Sequence, residues 1–522
     1  MTQPIPNPLP SRRPVSELVR FPVPAIGDGV TDDTAAFVYA LSIGRPVYVP
    51  PAPVFYKITK LITLPEGADI LGEGNAKLVY TGTENNGGIL QTGGDNITVG
   101  GLIIDGGNLN TPLTPFNTRP LYVTHNKFTG ENLKLINGRS QGAYFLNSTG
   151  SKLKNSTITA TKGPGLRVDG CVRSDFLDID VSGNLDNFGT YVYGGTHRCR
   201  FRVTCHNGGT GNVSLEGLGM VYTCHDNQVI GCVVEGTGDN GISITGYRNI
   251  VSGNTVIGCK HSGIFLYGSR NVCVGNSCLN NNQRLVVEPD PESKFCGITT
   301  NPSWGGLSSG NVVVGNTCDD DQAVPTQYAG VRVGNHSYAV WTQGQTISST
   351  SNYRYYGLNI YAPQNTGDCG ATPPTHTDGV VSDGTVSWLF VTTAESNLNA
   401  KRNQVFGNSC KGNVFAKVWV ESAANNSIHS EGVITVTSEA DPDNYSGIYG
   451  GQGAPATVAP AGSLYLRSNG GVGTSAYIKE SGGGTSAGWI ALLSRKSGTT
   501  ASRPSGLSSG HAGLIYFDTT IG

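Results

Sequence analysis

Apolar residues in the middle of this chain come in short bursts. Each burst is opened by glycine and followed at a set distance by asparagine. Gly241-Ile-Ser-Ile and Gly263-Ile-Phe-Leu each start eight residues before an asparagine, Asn249 and Asn271, and Asn227, Asn249 and Asn271 are spaced by 22 residues. Counting back from Asn227 in the same way selects Gly219-Met-Val-Tyr as the strand of the preceding coil. Asn311 and Asn403 open the same phrase after insertions, and Gly297 and Gly330 open matching strands. Four residues beyond each of these asparagines stands a glycine, Gly231, Gly253, Gly275, Gly315 or Gly407. Asn254, Asn276, Asn316 and Asn408 come next, with Cys232 as the exception, and then the small apolar column Val234, Val256, Cys278, Cys318 and Cys410. Gly142-Ala-Tyr-Phe, Gly165-Leu-Arg-Val and Gly189-Thr-Tyr-Val fit the register less regularly.

A period this short, with several strands per repeat, predicts an all-β fold, a parallel β-helix solenoid. Successive coils of such a solenoid stack at about 4.8 Å, so equivalent residues form ladders. The asparagines are expected to exchange amide hydrogen bonds along the axis. The Val/Cys column is expected to face inward as small apolar residues rather than as redox groups.

Before the repeats, Ile26 to Leu41 reads IGDGVTDDTAAFVYAL. Thr31 or Asp32 is suited to cap a helix, and Ala35, Ala36, Phe37, Ala40 and Leu41 recur at helical spacing. A helix here would close the first coil, and the strand-like Pro46–Pro50 follows. Two stretches break the repeat. One, 281–304, carries Glu288, Asp290, Glu292 and Trp304; the other, 336–393, is rich in tyrosine and ends near Trp388. Beyond Glu439, Gly-rich turns alternate with short apolar runs, which predicts hairpins.

Composition agrees with a turn-rich β protein: 74 of 522 residues are glycine and only 14% are charged. A formal net charge of −2 gives no polybasic surface for nucleic acid. No apolar run is long enough for membrane insertion. The first residues, MTQPIPNPLPSRRP, lack the apolar stretch of a signal peptide. Twelve cysteines show neither the spacing of a disulfide scaffold nor a zinc-type pair, and nothing predicts a metal site or a cofactor.

The phrase at 26–41 resembles the opening motif of the pectate-lyase-like β-helix superfamily, common in bacteriophage tailspikes and capsule depolymerases. The 336–393 stretch resembles carbohydrate-binding-like β modules of phage tail proteins. APAGSLYLRSNGGVGTSAYIKESGGGTSAGWIALL and RPSGLSSGHAGLIYFDTTIG resemble segments near the C-termini of tail fibres. The resemblance implies an N-terminal arm over 1–24, a right-handed parallel β-helix over 25–335 and 394–440, the inserted module over 336–393, and a C-terminal trimerisation or binding region over 441–522. It implies a homotrimer on the virion tail, joined to the tail, its baseplate or an adaptor. Such a spike binds and cleaves a bacterial capsular polysaccharide or lipopolysaccharide O-antigen. So short an arm leaves no room for a particle-binding domain, and the final phrase normally continues further.

The positions just before the Gly-led strands stack across coils. They place Asp186, Glu216, Asp239 and His261 at one corner. Clustered carboxyl groups shift one another's proton affinity, which lets one act as acid while another acts as base. Glu216, Asp239 and Asp186 are therefore the candidate catalytic residues for glycoside hydrolysis. His261, Tyr191, Tyr193, Arg167, Arg248, Lys260 and Trp304 are candidates for binding the sugar chain. A lyase would instead need a base near a cation, for which His261 and Lys260 are placed; a non-enzymatic receptor-binding spike would need only the groove. Asp105, and Asp319 to Asp321, read as structural turns.

Overall fold

The structure is a computed structural model that describes residues 24–83, 87–107, 118–184, 188–206, 216–221, 223–283, 295–301, 308–334, 339–348, 354–356, 359–393, 403–414, 416–420, 427–429, 448–451, 454–456, 464–467, 469, 476–481, 486–491, 496–498 and 516–518. The chain divides into two compact units. The first comprises Met1–Phe265, Gly275–Gly297 and Asp320–Gln327, and the second Leu266–Val274, Ile298–Asp319 and Tyr328–Gly522.

The first unit is built from coils of a right-handed parallel β-helix. One of its sheets runs through Gly87–Thr92, Thr118–Val123, Ala143–Leu146, Leu166–Asp169, Thr190–Tyr193, Leu218–Met220 and Ile242–Ile244, each strand parallel to the next. The alternation of a β-strand sends Leu121, Phe145, Val168, Val192, Met220 and Ile244 into the fully buried core. The residues between them form an outward ladder, Tyr122–Tyr144–Arg167–Tyr191–Gly219–Ser243. Opposite, Lys152–Thr159, Asp175–Ser182 and Arg200–His206 form the second sheet, and Phe128, Phe145, Phe176 and Phe201 meet ring to ring inside, with centroids 5.0–5.8 Å apart.

Glycine opens the strands of the regular coils because nothing larger fits. A Cβ on Gly241 would lie 2.2 Å from Val256 Cγ1 and 2.7 Å from the Gly263 carbonyl. The asparagine ladder forms as expected. Asn249 Oδ1 accepts the Asn227 backbone N–H at 3.0 Å, and Asn276 Oδ1 accepts both the backbone and side-chain N–H of Asn254 at 3.0 and 2.8 Å. All twelve cysteines are buried. Asp105 is held by Lys77, by the Gly107 N–H and by the Asn137 amide. Asp320 accepts the backbone N–H groups of Gln322, Thr326 and Gln327. Both are turn fasteners.

Two expectations need correction. The capping helix spans Thr34–Ser42, with Asp33 at its N-cap position in place of Thr31 or Asp32, while the Asp32 carboxylate accepts the first helical N–H, that of Thr34, at 3.0 Å. Asp28–Asp32 is a strand that pairs with Phe55–Ile58. Asp33 instead turns its carboxylate back to the N–H groups of Ile26 and Gly27, and Ala35 is exposed while Ala36, Phe37, Ala40 and Leu41 are buried. The second correction concerns register. Leu218 pairs with Ile242, so Gly217, not Gly219, is the equivalent of Gly241. A Cβ on Gly217 would lie 2.3 Å from Val234 Cγ1, the same crowding as at Gly241. Counting back from Asn227 selects the wrong glycine because this coil takes two more residues than the next one to return to its asparagine.

The second unit carries parallel coils of its own. Val272–Val274, Val312–Val314, Gln404–Phe406 and Ser427–His429 pair in sequence, as do Ile298–Thr300, Ala329–Val333 and Ala416–Val420. Within the 336–393 stretch Asn359–Pro363, Val380–Asp383 and Val386–Thr393 form an antiparallel sheet. Trp341, Tyr361 and Trp388 lie in its core with Ile347, Cys369 and Val386, so these rings build the module rather than offer sugar platforms. Leu464–Arg467, Ala476–Lys479 and Trp489–Ala491 form the hairpins expected beyond 441, and Ile448–Gly451 adds a parallel strand.

Candidate active site

The corner before the Leu218–Met220 and Ile242–Ile244 strands gathers Glu216, Asp239 and His261. Backbone bonds set the levels: Gly189 N–H donates to the Glu216 carbonyl at 2.9 Å, Gly217 N–H to Asn240 at 3.2 Å, and Gly241 N–H to Ser262 at 3.0 Å. Glu216 therefore stands at the level of Phe188, Asn240 and Ser262, one position closer to the strand than its expected partner Asp239. Its side chain bends over the outward face of the sheet. A Cβ on Gly219 would come within 2.7 Å of Glu216 Oε2 and 2.4 Å of the Phe188 ring.

The Glu216 residue keeps some surface exposure, but its carboxyl group is enclosed. Burial, with the negative charge of Asp239 added, pushes its proton affinity up to about 8, and hydrogen bonding from Ser243 and Asn240 offsets part of the shift. Ser243 is placed for this by its outward position on the strand paired with Leu218–Met220. At neutral pH the carboxyl group is therefore mostly protonated and is a proton donor.

Asp239 is held differently. Its Oδ1 accepts the Asn240 backbone N–H at 2.8 Å and the Asn240 amide at 3.0 Å, and it pairs with His261 Nδ1. The imidazole lies flat against Phe295, with ring centroids 4.0 Å apart and an interplanar angle of 13°. The backbone fixes the same pair, since His261 N–H donates to the Asp239 carbonyl at 3.3 Å. The corner thus joins a neutral carboxylic acid to a carboxylate buttressed by imidazole.

The face next to this corner is aromatic. Phe188 stacks on Tyr191 at 4.5 Å and Tyr191 on Tyr193 at 5.9 Å, with Tyr193 43% exposed. Arg167 lies over Tyr144 at 4.7 Å and Tyr191 at 5.9 Å and bonds Asp169 at 3.2 Å. Flat apolar faces edged by polar groups suit pyranose rings. Lys260 is exposed beside His261. Arg248 lies beyond the other end of the Ile242–Ile244 strand, clamped on Asp226 by bonds of 2.8 and 2.9 Å and stacked on Tyr247, and is not gathered into the corner. Asp186 and Trp304 lie outside the described residues, as do Glu288, Asp290 and Glu292. Among the described residues no group of three His, Cys, Asp or Glu side chains is arranged to hold a metal ion.

Sequence reasoning passed over Phe188, Asn240, Ser243, Phe295 and the tyrosines at 122 and 144. Asn240 stood next to Asp239 in the GDNG turn, and Tyr144 occupied the outward slot of Gly142-Ala-Tyr-Phe, so alternation could have found them. Phe295 carried no such signal, because it reaches His261 from a distant part of the chain.

Fold and site together define a right-handed parallel β-helix protein with a paired-carboxyl corner beside an aromatic face. The family described as "Right handed beta helix region" matches residues 122–366. Among solved structures, the A-module of the Azotobacter vinelandii mannuronan C-5 epimerase AlgE4 is similar, with a TM-score of 0.53 at 14% identity over 77% of this chain and 97% of that one. The Dettilon tailspike protein gives 0.48 at 16% identity over 74% and 92%. Tailspike protein 3 of bacteriophage CBA120 gives 0.42 at 14% identity over 91% and 69%. No curated protein matches the chain by sequence. Among the described residues no helix is long and apolar enough to cross a membrane.

Proposed function

We propose that this chain is a phage tailspike that binds a bacterial surface polysaccharide, capsule or O-antigen, along the aromatic face and hydrolyses it at the Glu216–Asp239 corner. The observation that carries the hydrolytic reading is the split between two neighbouring carboxyl groups. Glu216 keeps its proton to about 8, while Asp239 is bonded to Asn240 and paired with His261. Glycoside hydrolysis uses such a pair. Glu216 would give its proton to the departing glycosidic oxygen. Asp239 would serve the opposite face of the sugar, as nucleophile or as base for water, with His261 and Asn240 fixing its orientation. Phe188, Tyr191 and Tyr193 would stack on the rings of the bound chain. The tailspike assignment is supported by the phrase at 26–41 and the C-terminal segments. A homotrimer and a tail or adaptor partner belong to the same proposal.

The test is incubation of the purified protein with capsule and lipopolysaccharide from a panel of hosts, following reducing ends and absorbance near ~235 nm, beside Glu216→Gln and Asp239→Asn. Reducing ends without absorbance, abolished by both substitutions, is the expected result. Absorbance would identify a lyase. Cleavage that survives both substitutions would move the site elsewhere. Binding without cleavage on a matching host would leave a receptor-binding spike.

A further inference from the structure

Four strand steps along the outward ladder from Gly219, the same face holds a second cluster. It starts with Arg119, which is 7% exposed. Its guanidinium lies 4.6 Å from the centre of the Tyr122 ring and 5.0 Å from that of Tyr144, and these rings stack on each other at 5.3 Å. Its Nε donates to Gln141 Oε1 at 2.9 Å, and among the described residues no carboxylate pairs with it. The sequence holds no acidic residue between Asp105 and Glu131. Arg167 covers Tyr144 from the other side, and its Nε is enclosed without a hydrogen-bond partner. One carboxylate, Asp169, serves this group: it pairs with Arg167 at 3.2 Å and accepts the Tyr144 hydroxyl at 3.2 Å.

Among the described residues, two guanidinium groups and one carboxylate leave a positive charge fixed among tyrosine rings. An enclosed cation without a counter-ion is costly, and folded chains keep one mainly where an anion comes to it. Arginine, flat and weakly hydrated, is the side chain suited to hold a carboxylate in such a place. The strand spacing of about 4.8 Å puts Arg167 roughly 10 Å and the Tyr122 strand roughly 19 Å from Gly219, measured along the ladder. A pyranose unit is about one strand step long, so a glycan cleaved at Glu216 would lay its second to fourth residue over this cluster.

We infer that Arg119, Arg167, Tyr122 and Tyr144 form a subsite for an acidic sugar, which makes the substrate an anionic glycan bearing a carboxylate at a set distance from the cleaved bond. The inference rests on the proposed glycan cleavage at Glu216 and names the chemistry of its substrate. The carboxylate would pair with the guanidinium groups while the sugar ring lies against the tyrosines. This selects acidic capsules over neutral O-antigens before any bond is broken.

The experiment uses the full chain and two forms of each acidic capsule in the panel, native and carboxyl-reduced to the neutral sugar. Binding is read by affinity electrophoresis and cleavage by reducing ends, with Arg119→Lys, Arg167→Gln and wild type compared. The expected result is that the retarding glycan is acidic, that carboxyl reduction weakens binding at least tenfold, and that Arg167→Gln weakens binding of the native form only. Arg119→Lys keeps the charge but loses the planar stack, so it should weaken binding while leaving discrimination against the reduced form. A neutral preferred glycan, equal binding of native and reduced forms, or no binding of any acidic capsule would overturn the inference. If acidic glycan binds selectively and none is cleaved, the subsite stands and the hydrolytic reading of Glu216 falls.

Discussion

The carboxyl group of Glu216 lies over the α-carbon of Gly219, three residues further along the chain. A methyl group at Gly219 would sit 2.7 Å from Glu216 Oε2 and 2.4 and 2.6 Å from two carbons of the Phe188 ring. The glycine is therefore a space-making residue for the site. Gly219→Ala is expected to push both side chains off the face. Overpacking of this kind costs about 1–3 kcal/mol, so the fold should survive with a lowered melting temperature. Cleavage should fall at least tenfold, measured as reducing ends per mole of folded protein. An unchanged rate would show that Glu216 need not lie there.

Glu216→Gln removes the proton donor and keeps the shape. General acid catalysis contributes roughly 10²- to 10⁴-fold, and a loss in that range is expected. The same substitution should change how stability depends on pH. The carboxyl group takes up its proton near 8 in the folded state and near 4.5 in the unfolded chain. Between these values the folded state binds the extra proton, so stability falls as pH rises from about 4.5 to about 8, by at most roughly 1.4 kcal/mol per pH unit. Above 8 the penalty is constant, and below 4.5 it is absent. Urea melts of wild type and Glu216→Gln across this range should converge at low pH, with the variant the more stable at pH 8. Parallel curves would show that the carboxyl group is not enclosed.

Activity should follow the same proton. With Glu216 as donor, kcat is expected to fall above about pH 8, in proportion to the fraction of carboxyl group still protonated. Asp239→Asn removes the negative charge that helps hold this proton, so any residual activity should lose its alkaline limb at a lower pH than wild type. A limb that stays in place would assign it to another group.

The asparagine ladder is a separate stability device. Asn254 Oδ1 accepts the Cys232 N–H at 2.8 Å, while its amide donates to Val229 and Asn276 at 3.0 and 2.8 Å. Asn254→Ala strands the buried Cys232 N–H and takes the amide donor from the Val229 carbonyl, each worth about 1–3 kcal/mol, while Asn276 Oδ1 keeps the backbone N–H of residue 254. A large loss of thermal stability is expected, with cleavage per folded molecule retained. A melting temperature within a degree or two of wild type would mean that water replaces the amide.

Much of this protein follows from local chemistry. The interval of 22 residues, the asparagine ladder and the apolar cysteine column are consequences of a repeat whose equivalent positions must stack, so counting residues is enough to find them. Glu216, Asp239 and His261 were also legible as acids and a base at one corner. Their detailed relation was not, because the coil that holds Glu216 returns to its asparagine by a longer path. Two glycines in the phrase Gly217-Leu-Gly219 look alike in sequence, and the pairing of Leu218 with Ile242 and the crowding of Val234 against Gly217 tell them apart. The sequence by itself determined the solenoid, its stacked ladders and the residue types available at its corner. The tertiary structure decided which residue levels coincide, which carboxyl group is enclosed, that Phe295 covers His261, and that Asp169 pairs with Arg167 while Arg119 lies against tyrosine rings. Proton affinity and charge balance depend on neighbours brought together from different coils, and a linear pattern does not encode those distances.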